Sequence, residues 1–160
     1  ERYINDPAYR PFLAKCVELD IPVRITAGMH LLSDRPYDYA HPKYLDEIAV
    51  QFPTLKIVAA LTGWPWVDET CAIASRHQNV YIDFACKRVK HLLAPGAGYE
   101  ALIYYGARSL QDKIIFASGW GTLNVPLHQL VAETDELPLS QSVREKWMGG
   151  NAARVLGLDR

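Results

Sequence analysis

The sequence predicts an α/β fold built from parallel β/α units. Two observations carry that prediction. Short apolar runs recur along the chain as "IPVRITAG", "LKIVAAL", "NVYIDFA" and "DKIIFAS". Between them lie stretches whose apolar residues return at helical spacing. "LKIVAAL" is apolar along nearly its whole length, which marks a strand buried on both faces, as parallel strands between helix layers are. The runs begin near residues 21, 55, 79 and 112, spacings that leave room for a helix after each strand. Four such units make half of an eight-fold barrel or a small open sheet.

The elements follow in order. "NDPAYRPFLAKCVELD" opens with Asp6 as N-cap and Pro7 at the first helical position, and Phe12, Leu13, Cys16, Val17 and Leu19 give it an apolar face. The first strand, 21–28, ends at Gly28. "HPKYLDEIAVQF" places Pro42 at a helix start and Tyr44, Leu45, Ile48, Ala49 and Phe52 on one side, with Pro53 just beyond. The second strand covers 55–61. "WVDETCAIASRH" is helical, with Val67, Cys71 and Ala74 in register. The third strand covers 79–85 and the fourth 112–118, with the helix "GYEALIYYGARS" between them. The tail "LSQSVREKWMGGNAARVLGL" reads as a helix, a Gly-Gly break and a short helix capped by Asn151. The termini and 92–98 ("LLAPGAG") are expected to be disordered. Residues 1–160 form one domain with no internal linker.

Composition excludes several function classes. The net charge is −1, so no basic face argues for nucleic acid or an anionic membrane surface. No apolar run approaches the roughly 20 residues of a membrane span. "ERYINDPAYR" lacks the apolar segment of a signal peptide. The chain begins without Met, which leaves three readings open: a mature product, a fragment, or the ordered part of something longer. Cys16, Cys71 and Cys86 are odd in number and contain no C-x-x-C, which points away from a disulfide framework or zinc knuckle and toward a reducing, cytoplasmic setting. No G-x-G-x-x-G, G-x-x-x-x-G-K-[ST] or G-x-S-x-G occurs, so no phosphate loop or nucleophile elbow is present.

Several pieces, read in order, resemble one family. "DYAHPKYLDEIAVQFPTLKIV", "GWPWVDETCAIASRHQNVYID", "DKIIFAS" and the closing "GGNAARVLGL" are similar to the C-terminal half of the amidohydrolase-2 family, metal-dependent hydrolases and decarboxylases related to aminocarboxymuconate semialdehyde decarboxylase. The resemblance runs from about Asp6 to Leu158. It implies a (β/α)8 TIM barrel, of which this chain supplies strands five to eight, with the active site at the C-terminal strand ends. The resemblance also implies a His at the end of strand five, a His at the end of strand six and an Asp at the end of strand eight. The matching positions here are Thr26 in "ITAG", Leu61 in "AALTG" and Gly119 in "ASGWG". A hydrolytic zinc needs about three protein ligands, and Thr, Leu and Gly supply neither imidazole nor carboxylate. No family-type metal site and no cofactor are therefore expected.

Other residues at the expected mouth are candidates. His30, just past the first strand in "GMHLL", is a replacement base or a polar loop residue. Asp83 ends the third strand and is a lone general base or a loop holder that accepts backbone N–H bonds. Lys87 and Arg88 follow it and could bind a substrate carboxylate, or lie in a solvated loop. Trp64 and Trp120 stand at strand ends as an aromatic wall for a planar ligand, while Trp66 suits core packing. Cys86 is the one thiol near the mouth, without a His placed to activate it.

Three functional readings stay open. The chain is an amidohydrolase relative with a degraded metal site that binds a small aromatic or carboxylate ligand. It is a non-catalytic half-barrel whose open edges, Ile21–Ala27 and Asp112–Ser118, pair with a second copy or with a partner chain carrying the other strands. Or it is a fragment of a full barrel.

Overall fold

The computed structural model describes residues 2–158. Its centre is a parallel sheet of β1 (Val23–Thr26), β2 (Ile57–Ala60), β3 (Val80–Asp83) and β4 (Ile114–Ile115), arranged in sequence order. Val23 lies opposite Ile57, Ile57 opposite Val80, and Ile82 opposite Ile114. Sequential parallel strands with helical crossovers produce the continuous curl of a barrel wall.

Alternation along each strand divides the sheet into two faces. Val23, Ile57, Ala59, Val80, Ile82 and Ile114 enter the main core with the helices. Helix α1 (Arg10–Glu18) contributes Leu13 and Cys16, α2 (Lys43–Gln51) Leu45 and Ile48, and α3 (Val67–Arg76) Val67, Cys71 and Ala74. Fully burying an aliphatic side chain of this kind stabilises by ~1.5–3 kcal/mol. The opposite face carries Arg24, Thr26, Val58, Ala60, Tyr81, Asp83 and Ile115. It is the lumen side of the curl.

The strands are shorter than the sequence suggests. β4 spans two residues where seven were expected, because Phe116 donates its N–H to Trp147 O and leaves the ladder. Asp6 caps as expected, its Oδ1 accepting from Ala8 N at 2.8 Å, but Pro7–Tyr9 is a 3-10 turn leading into α1. After β3 come α4 (Val89–Leu92) and α5 (Glu100–Gly106). Segment 93–98 is held by local bonds, among them Gly96 N to Glu100 Oε1 at 2.7 Å. The expectation of disorder at the two ends falls partly on residues 1, 159 and 160, outside the described residues. Sequence patterning missed α6 (Trp120–Leu123) and α7 (Leu127–Glu133).

The tail differs from its expectation. Helix α8 (Gln141–Glu145) continues through a π turn at Lys146–Gly150 into α9 (Asn151–Leu156), so Gly149-Gly150 does not break it. The wider π turn lets the helix path shift without interrupting the backbone bonding. Nor is Asn151 a cap. It is fully buried, and its Nδ2 donates to Gln111 O and Ile114 O at 2.9 and 2.7 Å, pinning the tail to the start of β4. Val143 and Trp147 pack in the helix-side core, whereas Val155 packs with Val58 and Ile115 on the lumen side. The tail thus passes from one face of the sheet to the other.

Candidate functional site

The C-terminal strand ends form the mouth. At the end of β2 the chain turns through Leu61 and Thr62, both at φ +67°, and Gly63 at +85°. Left-handed backbone in a β-branched residue such as Thr62 is costly and persists where the surroundings impose it. Asp83 bonds to the first residue of this turn. It is 1% exposed, and its Oδ1 accepts from Leu61 N at 3.1 Å and from Ala85 N at 3.0 Å. The carboxylate thereby fixes the exits of two adjacent strands.

Asp83 has a further partner that sequence reading missed. Arg24, on β1, reaches across β2 on the lumen side and donates from Nε to Oδ2 at 2.6 Å and from Nη2 to Oδ1 at 3.3 Å. Two strand spacings are about 9.6 Å, within reach of an arginine. Val58 and Ala60 are the β2 residues in register with Arg24 and Thr26 on that face. The available signal was a lone charge inside the apolar run "IPVRITAG".

At the end of β4, Gly119 adopts φ +58° and lies against the Cys86 backbone. A Cβ built there would stand 2.4 Å from Cys86 Sγ, 2.5 Å from Cys86 N and 2.9 Å from Cys86 Cα. This strand end has no room for any side chain, an acid included. Cys86 itself has φ +59°.

The remaining candidates are dispersed. His30 and Thr26 line one cleft of about 370 Å³ with Tyr39 and Arg35. His30 Nδ1 accepts from Leu32 N at 3.2 Å, and Arg35 is held by Asp34. Asp83 lines a different cavity, so His30 and Asp83 are not brought together. Arg88 is turned to Glu133 on α7, with Nε at 2.8 Å from both carboxylate oxygens and Nη2 also bonded to Oε1. The hydrogen bonds from Arg88 hold the Glu133 carboxyl below its usual range, with burial opposing them. Its guanidinium therefore serves a structural pair here. Lys87 Nζ lies 5.9 Å from the Tyr99 ring centroid. Trp64 donates Nε1–H to Ala97 O at 3.2 Å, and Trp120 opens α6 with 61% of its surface exposed. Trp66 is stacked by His41, ring centroids 4.0 Å apart. Cys16 and Cys71 are buried, and burial, with Asp68 adding to it, pushes the Cys71 thiol up to about 12.

Among the described residues, no group of three or more His, Cys, Asp or Glu is placed to hold a metal ion. Thr26, Leu61 and Gly119 offer no imidazole or carboxylate, and Asp83 spends both oxygens on Arg24 and two backbone amides. These four positions together supply fewer than the about three ligands that a hydrolytic metal takes from a protein. A cleft of about 1010 Å³ lies away from the strand ends, between α3 and α5, lined by Trp66, Glu69, Cys71, Glu100 and Tyr104. It is a groove in the helix layer. Among the described residues no helix is long and apolar enough to cross a membrane.

Solved structures share this architecture. An uncharacterized TIM-barrel protein from Bordetella bronchiseptica superposes with a TM-score of 0.82 at 27% identity, over 98% of this chain and 52% of its own. The 2,6-dihydroxybenzoate decarboxylase from Rhizobium gives 0.72 at 16% identity, over 99% of this chain and 58% of its own. The dihydroorotase from Campylobacter jejuni gives 0.68 at 21%, over 98% and 53%. The chain spans about half the length of each. No curated protein sequence matches it. The sheet is therefore a TIM-barrel wall of half the usual extent. The profile of the Amidohydrolase family (Amidohydro_2) matches residues 1–158, and the chain belongs to that family.

Proposed function

We propose that this chain forms strands five to eight of an amidohydrolase-type barrel, as one domain over residues 1–160, whose mouth binds a small aromatic or carboxylate ligand without a metal. The packing of Gly119 on Cys86 carries the reading. The end of β4 lacks the acid and lacks the space for one. Leu61 faces the same mouth with no proton to move, and Asp83 is committed to holding loops. Exposed Trp120 and Trp64 and half-buried Lys87 supply ring surface and a cation at the rim. The 2,6-dihydroxybenzoate decarboxylase among the fold relatives is named for an aromatic carboxylate, which fits a ligand of this chemistry. The three unpaired thiols fit a reducing, cytoplasmic setting.

Titration with a planar aromatic carboxylate tests the reading through tryptophan fluorescence. The expected result is saturable quenching that Lys87→Ala weakens and Trp120→Leu removes. Absence of saturable quenching would refute ligand binding at the mouth.

A second reading is favoured by one observation. β1 is a sheet edge that offers an unpaired row of backbone groups among the described residues, while the C-terminal tail bonds to the outer edge of β4 through Asn151 and Trp147. A second copy or a partner chain with the other strands would close the barrel. Native mass spectrometry separates the cases: a paired species supports closure, and a stable 18.0 kDa monomer opposes it.

A further inference from the structure

The lumen face holds a second cavity, distinct from the mouth. It measures about 250 Å³ and is lined by Arg24, Val58, Ile115, Ala117, Val155 and Leu156, with Asp83 at its edge. Its walls come from all four strands or their ends and from α9, which Asn151 anchors to the start of β4. The volume lies just below the range for drug-sized sites, ~300–1,000 Å³, so it suits only a compact ligand.

The chemistry of the lining is narrow. The walls are aliphatic and present no aromatic face. Two charged groups reach the cavity, and they are unequal. Asp83 is buried, and both its oxygens are taken by Arg24, Leu61 N and Ala85 N. Arg24 is half open, its side chain 52% exposed. Two of its N–H groups go to Asp83. A guanidinium carries five; the rest have no further hydrogen-bond partner among the described residues, and Arg24 lines the cavity. The two backbone amides share the task of neutralising Asp83, which leaves the arginine able to receive a second anion. Asp83 also fixes the plane of the guanidinium, so its orientation is set before a ligand arrives.

We infer that Arg24 and the α9-backed aliphatic wall form a binding site for a compact aliphatic carboxylate. The carboxylate would take the free edge of the guanidinium, and a branched or cyclic hydrocarbon body would rest on Val58, Ile115, Val155 and Leu156. The absence of polar lining groups other than Arg24 and Asp83 disfavours hydroxylated or doubly charged ligands. The site lies outside the mouth reading and stands or falls separately from it.

The probe is cyclohexanecarboxylate, with cyclohexanecarboxamide as its uncharged counterpart, titrated into the natively purified, isotope-labelled protein and followed by NMR. The expected result is saturable shifts at the amides of Arg24, Val58, Ala117 and Val155, with the amide at least about tenfold weaker, as befits a charge-assisted contact. Arg24→Met should abolish the distinction between acid and amide. Ala117→Leu fills the cavity and leaves the Arg24–Asp83 pair intact, so it should remove binding of both while the fold persists. Lys87→Ala should leave the shifts at Arg24, Val58, Ala117 and Val155 unaltered, which separates this site from the mouth. Equal affinity for acid and amide, binding unaffected by Ala117→Leu, or no saturable shift up to the solubility of the acid would overturn the inference. So would a copurifying partner whose own carboxylate occupies Arg24 and is not displaced.

Discussion

Gly119→Ala isolates the feature on which the functional reading turns. The substitution adds one methyl at a backbone φ of +58°. Left-handed backbone costs an L residue ~1–2 kcal/mol relative to glycine. The methyl would also stand 2.4, 2.5 and 2.9 Å from Cys86 Sγ, N and Cα. Forcing an atom into a packed site of this kind adds ~1–3 kcal/mol. The expected loss is about 2–5 kcal/mol, a fall in Tm of roughly 5–20 °C for a chain of this size. Two of the three close atoms are backbone, so removing the sulfur cannot cure the contact. Cys86→Ala/Gly119→Ala should therefore recover only a minor part of the loss. Gly121→Ala is the internal control. Nothing lies within 4 Å of its Cβ position, and it sits inside α6. It should be neutral or stabilise by up to ~1 kcal/mol. Urea unfolding of the four proteins decides the matter. A Gly119→Ala variant within ~0.5 kcal/mol of the parent, or full rescue by Cys86→Ala, would refute the steric argument and reopen the strand end to an acid.

Other expectations follow from the same structure. Asp83→Ala orphans the Leu61 and Ala85 amides at ~1–3 kcal/mol each, and Arg24, being half exposed, turns to water. We expect about 2–4 kcal/mol in total, read as a lower urea midpoint together with faster hydrogen exchange at Leu61 and Ala85. Asn151→Leu leaves Gln111 O and Ile114 O without their donor, for a loss of about 2–3 kcal/mol; unchanged stability would show that the tail is not anchored there. Alkylation of the native protein at mildly alkaline pH should modify Cys86 well before Cys16 and Cys71, since Cys71 is held up to about 12 and both are buried; peptide mass mapping reads the order. Glu133 has a folded pKa below its unfolded value of ~4.3. Its pairing therefore contributes stability above that value and loses it as pH falls through the lower folded pKa. The stability difference between the parent and Arg88→Met should be full at neutral pH and vanish on acidification, and a difference constant across that window would contradict the pairing.

The parallel architecture was legible because buried strands and amphipathic helices leave different periods in a sequence. Strand ends were less so. β4 stops at Ile115 because Phe116 bonds to Trp147 O, a contact with a residue 31 positions along the chain that no local pattern encodes. Asn151 looked like a helix cap by residue type, yet it satisfies the carbonyls of a distant strand. The positions of Thr26, Leu61 and Gly119 came from motif order, and the packing of Gly119 on Cys86 emerged only in three dimensions. Arg88 read as an anion binder or a solvated loop residue because Glu133, 45 residues on, could not be seen beside it. Arg24 was overlooked for the same reason: its partner Asp83 lies two strands away.

The central claim is that the barrel mouth works without the metal of its lineage. Metal content of the natively purified protein, measured by inductively coupled plasma mass spectrometry and normalised per chain, tests it most directly. The account predicts zinc and manganese near background. One bound equivalent of either per chain would contradict it, and would mean that His30, Asp83 or a partner chain completes a centre that Thr26, Leu61 and Gly119 cannot.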